Sequence, residues 1–484
     1  MPRTKQNNPS DLSSHKLNKK KIAVIVIACV LLVILVASLC LYFFFFKYTT
    51  KGSAYSIYQI DLSVKPSGLP SDLDYLYDLT VVDNCDGGEN YLAHPDSILL
   101  NAGQANETIF TSYVRGHGRG ALLTKTSSDG GLTYSPRLTT TPSSWADSEE
   151  TPTLYELNFV SGDKKLIMIS ANPKWPGYRN GDGFNASISD DNGQTWTEFE
   201  KFYGKDSDYH LNPVVAMSSL TRLKENGLFV DKWMGLFHDD KFRCYKTILT
   251  FDESGKMQWS RPEEYLACST DDDGKAIDQT YFAKMAQLCE VEAIRSENGQ
   301  GDIICLLARC NTRRMNAFMT FSYDEGKTWT KLKEVPAALS GERHKAEYLK
   351  DGSNRLFITF RSIERDAEKR KATGNATAFS YSEGWVAWVG TFDDLTNWYN
   401  GDATAEGQYR VKLTHTYLKN QTSPCAEANP DTGYAGLVIL SDGLIVTASY
   451  GRFLNSDTTI IASKRLRIED LDRLYDFIGN DVYI

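Results

Sequence analysis

In three places in this chain an acidic residue precedes an arginine by the same interval. Asp96 and Arg115, Glu290 and Arg309, and Glu342 and Arg361 share one spacing. Each pair encloses two strand-like runs joined by a turn. The acid thus opens the first strand, the arginine closes the second, and both sit at one end of a hairpin. Arginine offers planar, permanently charged, bidentate donors, so three converging guanidiniums would form a clamp for a carboxylate. Tyr434 and Glu150 open further first strands, His210 lies near another, and His238 and Asp239 follow a second strand. A single Arg or Glu at a strand end is ordinarily just solvated. The repeated register argues instead for one shared rim, with the carboxylates and Tyr434 as acid, base and nucleophile.

The elements that would hold these residues form a repeat. The pattern S-x-D-x-G-x-T-W occurs at Ser189–Trp196 and Ser322–Trp329, and at Ser127–Tyr134 with Tyr in the last place. Worn copies lie at Thr250–Trp259 and Ser380–Trp388. Their third positions are 129, 191, 252, 324 and 382, a near-even spacing along the chain. In such a turn Asp bonds to the backbone ahead, Gly takes a positive φ and the aromatic packs back on the sheet. Six strand pairs accompany the turns. Their first strands are expected at 96–100, 153–157, 213–217, 291–294, 346–349 and 434–440. A motif recurring at a near-constant period signals a repeat architecture, so the expected class is all-β, a six-bladed β-propeller over residues 75–484. Ile468–Phe477 reads as a short terminal helix.

At these residues the chain resembles the sialidase (neuraminidase) superfamily, whose six-bladed propellers carry S-x-D-x-G-x-T-W boxes. The resemblance spans roughly residues 75–470. It implies that Tyr434 is a nucleophile, that Glu290 polarises it, and that Arg309 and Arg361 are two members of an arginine triad. A neutral phenol suits an anionic sugar, because a carboxylate nucleophile would repel the substrate's own carboxylate. Two segments depart from the family. Ala93-His94-Pro95-Asp96 stands where the family has an arginine, and Arg115-Gly116-His117-Gly118 stands where it has the acid/base aspartate. Arg115 is the candidate replacement for the arginine, and His117 or Asp96 for the acid. Glu342 and Arg343 complete the substrate-binding candidates. The polar opening Gly341–Lys345 is either a surface loop or, through Arg343 and His344, a binder of sugar hydroxyls. Trp175–Gly183 is either a blade loop or an aromatic wall for a sugar ring.

The activity implied is an exo-α-sialidase-type glycoside hydrolase that removes terminal acidic sugars from glycans, with no cofactor. The departures leave open another sugar acid, a neutral glycan, or a non-catalytic carbohydrate-binding adhesin. A net charge of −9 and the absence of a basic stripe argue against nucleic acid as partner. Residues 1–21 are polar and basic, and Ile22–Phe46 is uncharged and long enough to cross a bilayer. The expectation is a cytoplasmic tail, a transmembrane signal anchor over residues 22–46, a stem over 47–74 and an extracytoplasmic domain. The cysteines form no C-x-x-C and have no metal-like spacing with histidine. Cys289, Cys305 and Cys310 read as buried small hydrophobes.

Overall fold

The computed structural model describes residues 19–50, 54–118, 120–148, 150–173, 181–365, 380–417, 424–425 and 431–481. The candidate aromatic wall at Trp175–Gly183 thus lies mostly outside the described residues. The chain divides into two compact units, Met1–Lys51 and Gly52–Ile484. In the first, Lys19–Thr50 is a single helix. Its side chains are described over residues 23–38, and all of those are exposed. Among the described residues no helix is long and apolar enough to cross a membrane. The transmembrane span expected over Ile22–Phe46 is not found among them, and the side chains of Ile22 and of residues 39–46 lie outside the described residues.

Six sheets, their leading strands antiparallel, make up most of the second unit, beside two small ones that join Ser269–Thr270 to Ala276–Ile277 and Trp329–Thr330, and Thr416–Tyr417 to Pro424–Cys425. The first of the six contains Leu92–Leu100, Thr108–Arg115 and Leu122–Ser127. The second contains Thr153–Asn158, Lys164–Ala171, Phe184–Ser189 and Glu200–Phe202. The third contains Ser219–Glu225, Leu228–His238, Cys244–Phe251 and Met257–Trp259. The fourth is led by Leu288–Arg295 and Ile304–Cys310, followed by Phe318–Ser322 and Lys333–Glu334. The fifth holds Gly341–Tyr348, Arg355–Ser362, Trp385–Thr391 and Tyr409–Lys412. The sixth holds Ala435–Ile439, Ile445–Gly451 and Ile460–Leu466.

Five of the six neighbouring pairs of first strands pack on one another, the second sheet meeting the segment just before Ser219 instead, and side chains tie several of them together. Asp96 of the first sheet accepts from Leu154 N of the second at 2.9 Å. Tyr155 donates to the Met217 carbonyl, just ahead of the third sheet, at 2.8 Å. Ser219 Oγ accepts from Ala293 N of the fourth, and Glu292 accepts from Ala346 N of the fifth. The first strand of the sixth sheet packs on those of both the fifth and the first. Gly436 there lies so close to the first sheet that a Cβ would run into Ser97. The circuit of six is closed.

Two strands from the start of the unit complete the last two sheets. Thr80–Asp83 pairs antiparallel with Ile460–Leu466, and Gln59–Asp61 pairs parallel with Tyr409–Lys412. Leu73 and Leu76 are buried in the core. The segment read as a stem therefore supplies part of the fold. The terminal helix, Ile468–Asp481, buries Leu471 and Leu474 in the same core.

Three of the repeated turns share one hydrogen-bond network. In Ser322–Trp329 the Ser322 hydroxyl donates to Asp324 and accepts from Gly326 N, while Asp324 accepts from the Thr328 amide and hydroxyl at 2.8 and 2.7 Å. The turns at Asp129 and Asp191 repeat it bond for bond. Each such bond is worth about 1 kcal/mol net. Gly326 has φ +76°, and a Cβ there would strike Met234 of the preceding sheet. Trp196 packs on Phe110 of the preceding sheet at 5.7 Å between ring centroids. These turns therefore fasten a sheet to its neighbour.

Two sequence expectations change. The first strand of the third sheet is Ser219–Glu225, not 213–217. An Asn226-Gly227 hairpin with φ of +52° and +79° joins it to Leu228–His238, and this strong two-residue turn signal sets the register. The copy at Ser380–Trp388 is not a turn, because Trp388 lies inside a strand. Its place in the fifth sheet is taken by the helix Phe392–Tyr399, which is capped reciprocally by Thr391 and Asp394. Cys289, Cys305 and Cys310 are buried free thiols.

Candidate active site

Three of the six first strands carry a bulge near the same end. Pairing skips between Ala93 and Asp96, between Cys289 and Val291, and between Glu342 and Lys345. Each bulge contains a non-glycine residue with positive φ: His94 at 52°, Glu290 at 45° and Arg343 at 54°. Bulges re-aim side chains beside functional sites, and each such backbone costs on the order of 1–3 kcal/mol. Here two of them bring His94 and Glu290 onto Tyr434.

Tyr434 lines a cavity of about 270 Å³ at this end, together with Glu290, Arg309 and Arg361. Its hydroxyl donates to Glu290 Oε1 at 2.7 Å and accepts from Arg309 Nη1 at 2.5 Å. His94 stacks on the ring at 4.8 Å. Burial pushes the phenol well above its ordinary pKa. Burial also pushes the Glu290 carboxyl up, but Arg309 and the Tyr434 hydroxyl outweigh it and hold the group below the usual range. The pair is thus a neutral phenol with an ionised acceptor already in hydrogen-bond contact, the geometry of a nucleophile with its base.

Glu342 lies behind this pair, fully buried. Arg361 bonds it at 2.9 Å through Nε and Nη2, Arg313 Nε bonds it at 2.7 Å, and Arg309 Nε lies 3.3 Å away. Burial raises this carboxyl, yet Arg309, Arg361 and Arg313 together bring it down to about 2. Glu342 therefore holds arginines in place, and sequence reasoning missed Arg313.

The other candidates separate. Arg115 pairs with Glu89 at 2.8 Å, with half its side chain exposed. The residue that matches Arg309 and Arg361 in register is Val114, opposite Ala93 just before the bulge. A one-residue offset turns a strand side chain to the other face. Asp96, beyond the bulge, binds Ser97 N, Leu154 N and Lys345, 3.2 Å away, and is not among the cavity residues. Arg343 donates to the Ser218 carbonyl at 3.0 Å, and His344 Nε2 lies 2.9 Å from the Leu339 carbonyl. Both are buried away from the mouth, so neither is a surface-loop residue nor placed to bind sugar hydroxyls there.

His117 does line the cavity. Its Nδ1 lies 3.1 Å from Asp431 Oδ2, and its ring is 4.9 Å from His94. Asp431 also accepts from Tyr450 at 2.8 Å and from Tyr91, and Arg361 Nη1 is 3.4 Å away. The bond to Asp431 raises the His117 pKa. Sequence reasoning missed Asp431; its one signal was its place three residues before Tyr434. Among the described residues no three His, Cys, Asp or Glu side chains are grouped to hold a metal.

The mostly β globular unit has a fold found among solved structures. No protein-family model matches the sequence, and no curated protein matches it either. Solved structures do. A protein of unknown function from Dyadobacter fermentans is similar at 14% identity and a TM-score of 0.50, over 81% of this chain and 98% of that one. The NanB sialidase of Streptococcus pneumoniae is similar at 11% identity and a TM-score of 0.50, over 81% and 71%. The α-L-arabinofuranosidase Arb93A of Fusarium graminearum gives 10% and 0.49, over 81% and 98%. At these identities the likeness shows the fold alone.

Proposed function

We propose that the globular unit is a six-bladed β-propeller whose mouth hydrolyses a terminal sugar from a glycan with retention. Attack by Tyr434 would form a covalent glycosyl–tyrosine. The observation that carries this is the Tyr434–Glu290 hydrogen bond of 2.7 Å inside the mouth cavity. The closed circuit of six sheets and the likeness to NanB sialidase support the fold and the class. As the Tyr434 oxygen bonds the anomeric carbon, its proton passes to Glu290. The glycosidic C–O bond breaks, and His117 protonates the departing oxygen. Water then attacks the same carbon as His117 takes its proton, and Glu290 returns the first proton to the leaving phenolate. A Tyr nucleophile is a known alternative to paired carboxylates in retaining glycosidases.

The acid must be protonated to work. Because Asp431 raises the His117 pKa, activity is present below that value and lost as pH rises through it, so the alkaline limb falls above 6.5. Glu290 must be ionised, which puts the acid limb below 4.5. Turnover of an aryl glycoside panel against pH, with product anomers followed by NMR, tests this. Retention with a limb that His117→Ala removes is the expected result. Inverted product, or an unchanged alkaline limb in His117→Ala, would reject the assignment.

We also propose that the helix Lys19–Thr50 anchors the chain, with the globular unit on the extracytoplasmic side. Val24 to Val36 are exposed and apolar all round the helix, a surface that suits lipid. The basic residues before it favour a cytoplasmic N-terminus. Protease added to intact cells should remove the globular unit and spare the tail. Protection of the globular unit would overturn the orientation.

A further inference from the structure

His94 touches both groups that the reaction would use, yet it neither attacks nor moves a proton. It sits in the bulge of the first sheet and lines the mouth cavity, although only 4% exposed. Its ring stacks on Tyr434 with centroids 4.8 Å apart and planes 28° apart. It meets His117 at 4.9 Å and 65°, and Tyr450 at 5.1 Å and 90°. Its neighbours also settle which nitrogen of the neutral ring holds the proton. Thr151 Oγ1 lies 3.2 Å from His94 Nδ1 and donates its own hydrogen to Glu150 Oε1 at 2.9 Å. A hydroxyl has one hydrogen, so toward His94 it can only accept. Nδ1 therefore carries the proton and donates it to Thr151.

Tyr434 needs a neighbour of this kind. Glu290 and Arg309 hold its oxygen, but that oxygen lies on the axis about which the ring turns. Bonds to the oxygen alone leave the plane of the ring free. A phenol O–H keeps to the ring plane, so the plane sets where the in-plane lone pair of the attacking oxygen points. A flat ring packed on one face fixes that plane.

His94 and His117 are also too close for both to be charged without mutual penalty. His117 has a carboxylate, Asp431 Oδ2, 3.1 Å from its Nδ1. Asp431 and Glu150 favour its charged form, against burial and Arg361. His94 is more deeply buried and has a hydroxyl, not a carboxylate, beside Nδ1. Burial first, then His117, Arg361 and Arg343, outweigh Asp431 and hold its pKa well below the ordinary 6.5.

We propose that His94 is the positioning residue of this mouth, an uncharged ring that holds the plane of Tyr434 and leaves the proton of the histidine pair to His117. The roles of Tyr434 and His117 come here from the hydrolase reading, but two of the readouts need no turnover. The first is NMR of the full chain with tyrosine labelled at its ring ε carbons, the Tyr434 signals being those lost in Tyr434→Phe. The two ring edges should give separate signals in wild type and one merged signal in His94→Ala, and His94→Phe should restore two. Where His94→Ala fails to fold, His94→Leu takes its place, since it fills the space without a flat face.

The second readout is the titration of His117 in chain labelled on histidine, its signal being the one lost in His117→Gln. The midpoint should stay in place in His94→Phe. It should fall by at least about one pH unit in His94→Arg, because a fixed cation at this distance disfavours a second one. On aryl glycosides, His94→Ala should lose about 100-fold in kcat with KM within a few-fold of wild type, and His94→Phe should return to within about tenfold. Separate ring signals or full kcat in His94→Ala overturn the proposal, as does a His117 midpoint that His94→Arg leaves unmoved. A His94→Phe chain as impaired as His94→Ala does so too. A wild-type chain that turns over no glycoside removes the hydrolase reading instead, and the two NMR readouts then decide the role of His94.

Discussion

Tyr434→Phe should lose turnover by at least about a thousandfold while its affinity for the same glycan stays within a few-fold of wild type. The substitution removes one oxygen and leaves the ring stacked on His94 at 4.8 Å. Glu290 and Arg309 still pair with each other at 2.8 Å, so no buried charge is stranded. The fold should therefore survive, and the loss would report chemistry alone. His117→Ala complements this test. With an activated leaving group, attack by Tyr434 proceeds, but the water that releases the sugar has no base. Mass spectrometry of a peptic digest should then find the glycosyl adduct on the peptide containing Tyr434. Full activity in Tyr434→Phe, or an adduct on Glu290 instead, would end the tyrosine assignment.

Glu342→Gln should destabilise the globular unit by about 3–5 kcal/mol, the range for removing one partner from a buried ion-pair cluster. The carboxylate is wholly buried, and Arg309, Arg313 and Arg361 converge on it. Its loss leaves three guanidiniums facing one another with an amide that can neutralise none of them. The same contact makes the unit acid-sensitive in a defined direction. The folded pKa of about 2 lies below the ordinary 4.5. The stabilisation is thus fully present above 4.5 and is lost as pH falls through 2, about 3 kcal/mol in all. Urea midpoints at pH 7 and pH 3 should differ less in Glu342→Gln than in wild type. Equal midpoints for the two proteins at pH 7 would show that the cluster adds nothing to stability.

The all-β class and the pairing of strands were legible because they depend on alternation and on turn residues, both local properties. The first strand of the third sheet was not. There an Asn-Gly hairpin outweighed the apolar run before it, and that run became a lead-in. The site was legible where bulge and spacing happened to agree. Glu342 lies directly opposite Arg361, whereas Glu290 is a bulge residue next to Cys289, which is the residue opposite Arg309. In the first sheet the same interval falls on the wrong side of the bulge, so Asp96 and Arg115 never meet. Equal spacing is equal register only when the strands between are regular, and an inserted residue in a strand leaves no mark on composition or period. Asp431 was hidden for another reason, since its role comes from Tyr91, His117, Arg361 and Tyr450, which four distant segments bring together.

The pairing of Thr80–Asp83 with Ile460–Leu466 has a consequence for how the protein is made. Synthesis runs from the N-terminus, so the earlier strand emerges first and finds its partner only when the five sheets between have followed. Until then it is an unpaired edge of the kind that recruits other strands. A ribosome that stalls late, or a message truncated before Ile460, would release a chain in which every other sheet has its strands but the sixth lacks the strand that Thr80–Asp83 pairs with. Damage at Ile460–Leu466 would then be felt far upstream in the chain, as exposure of Thr80–Asp83.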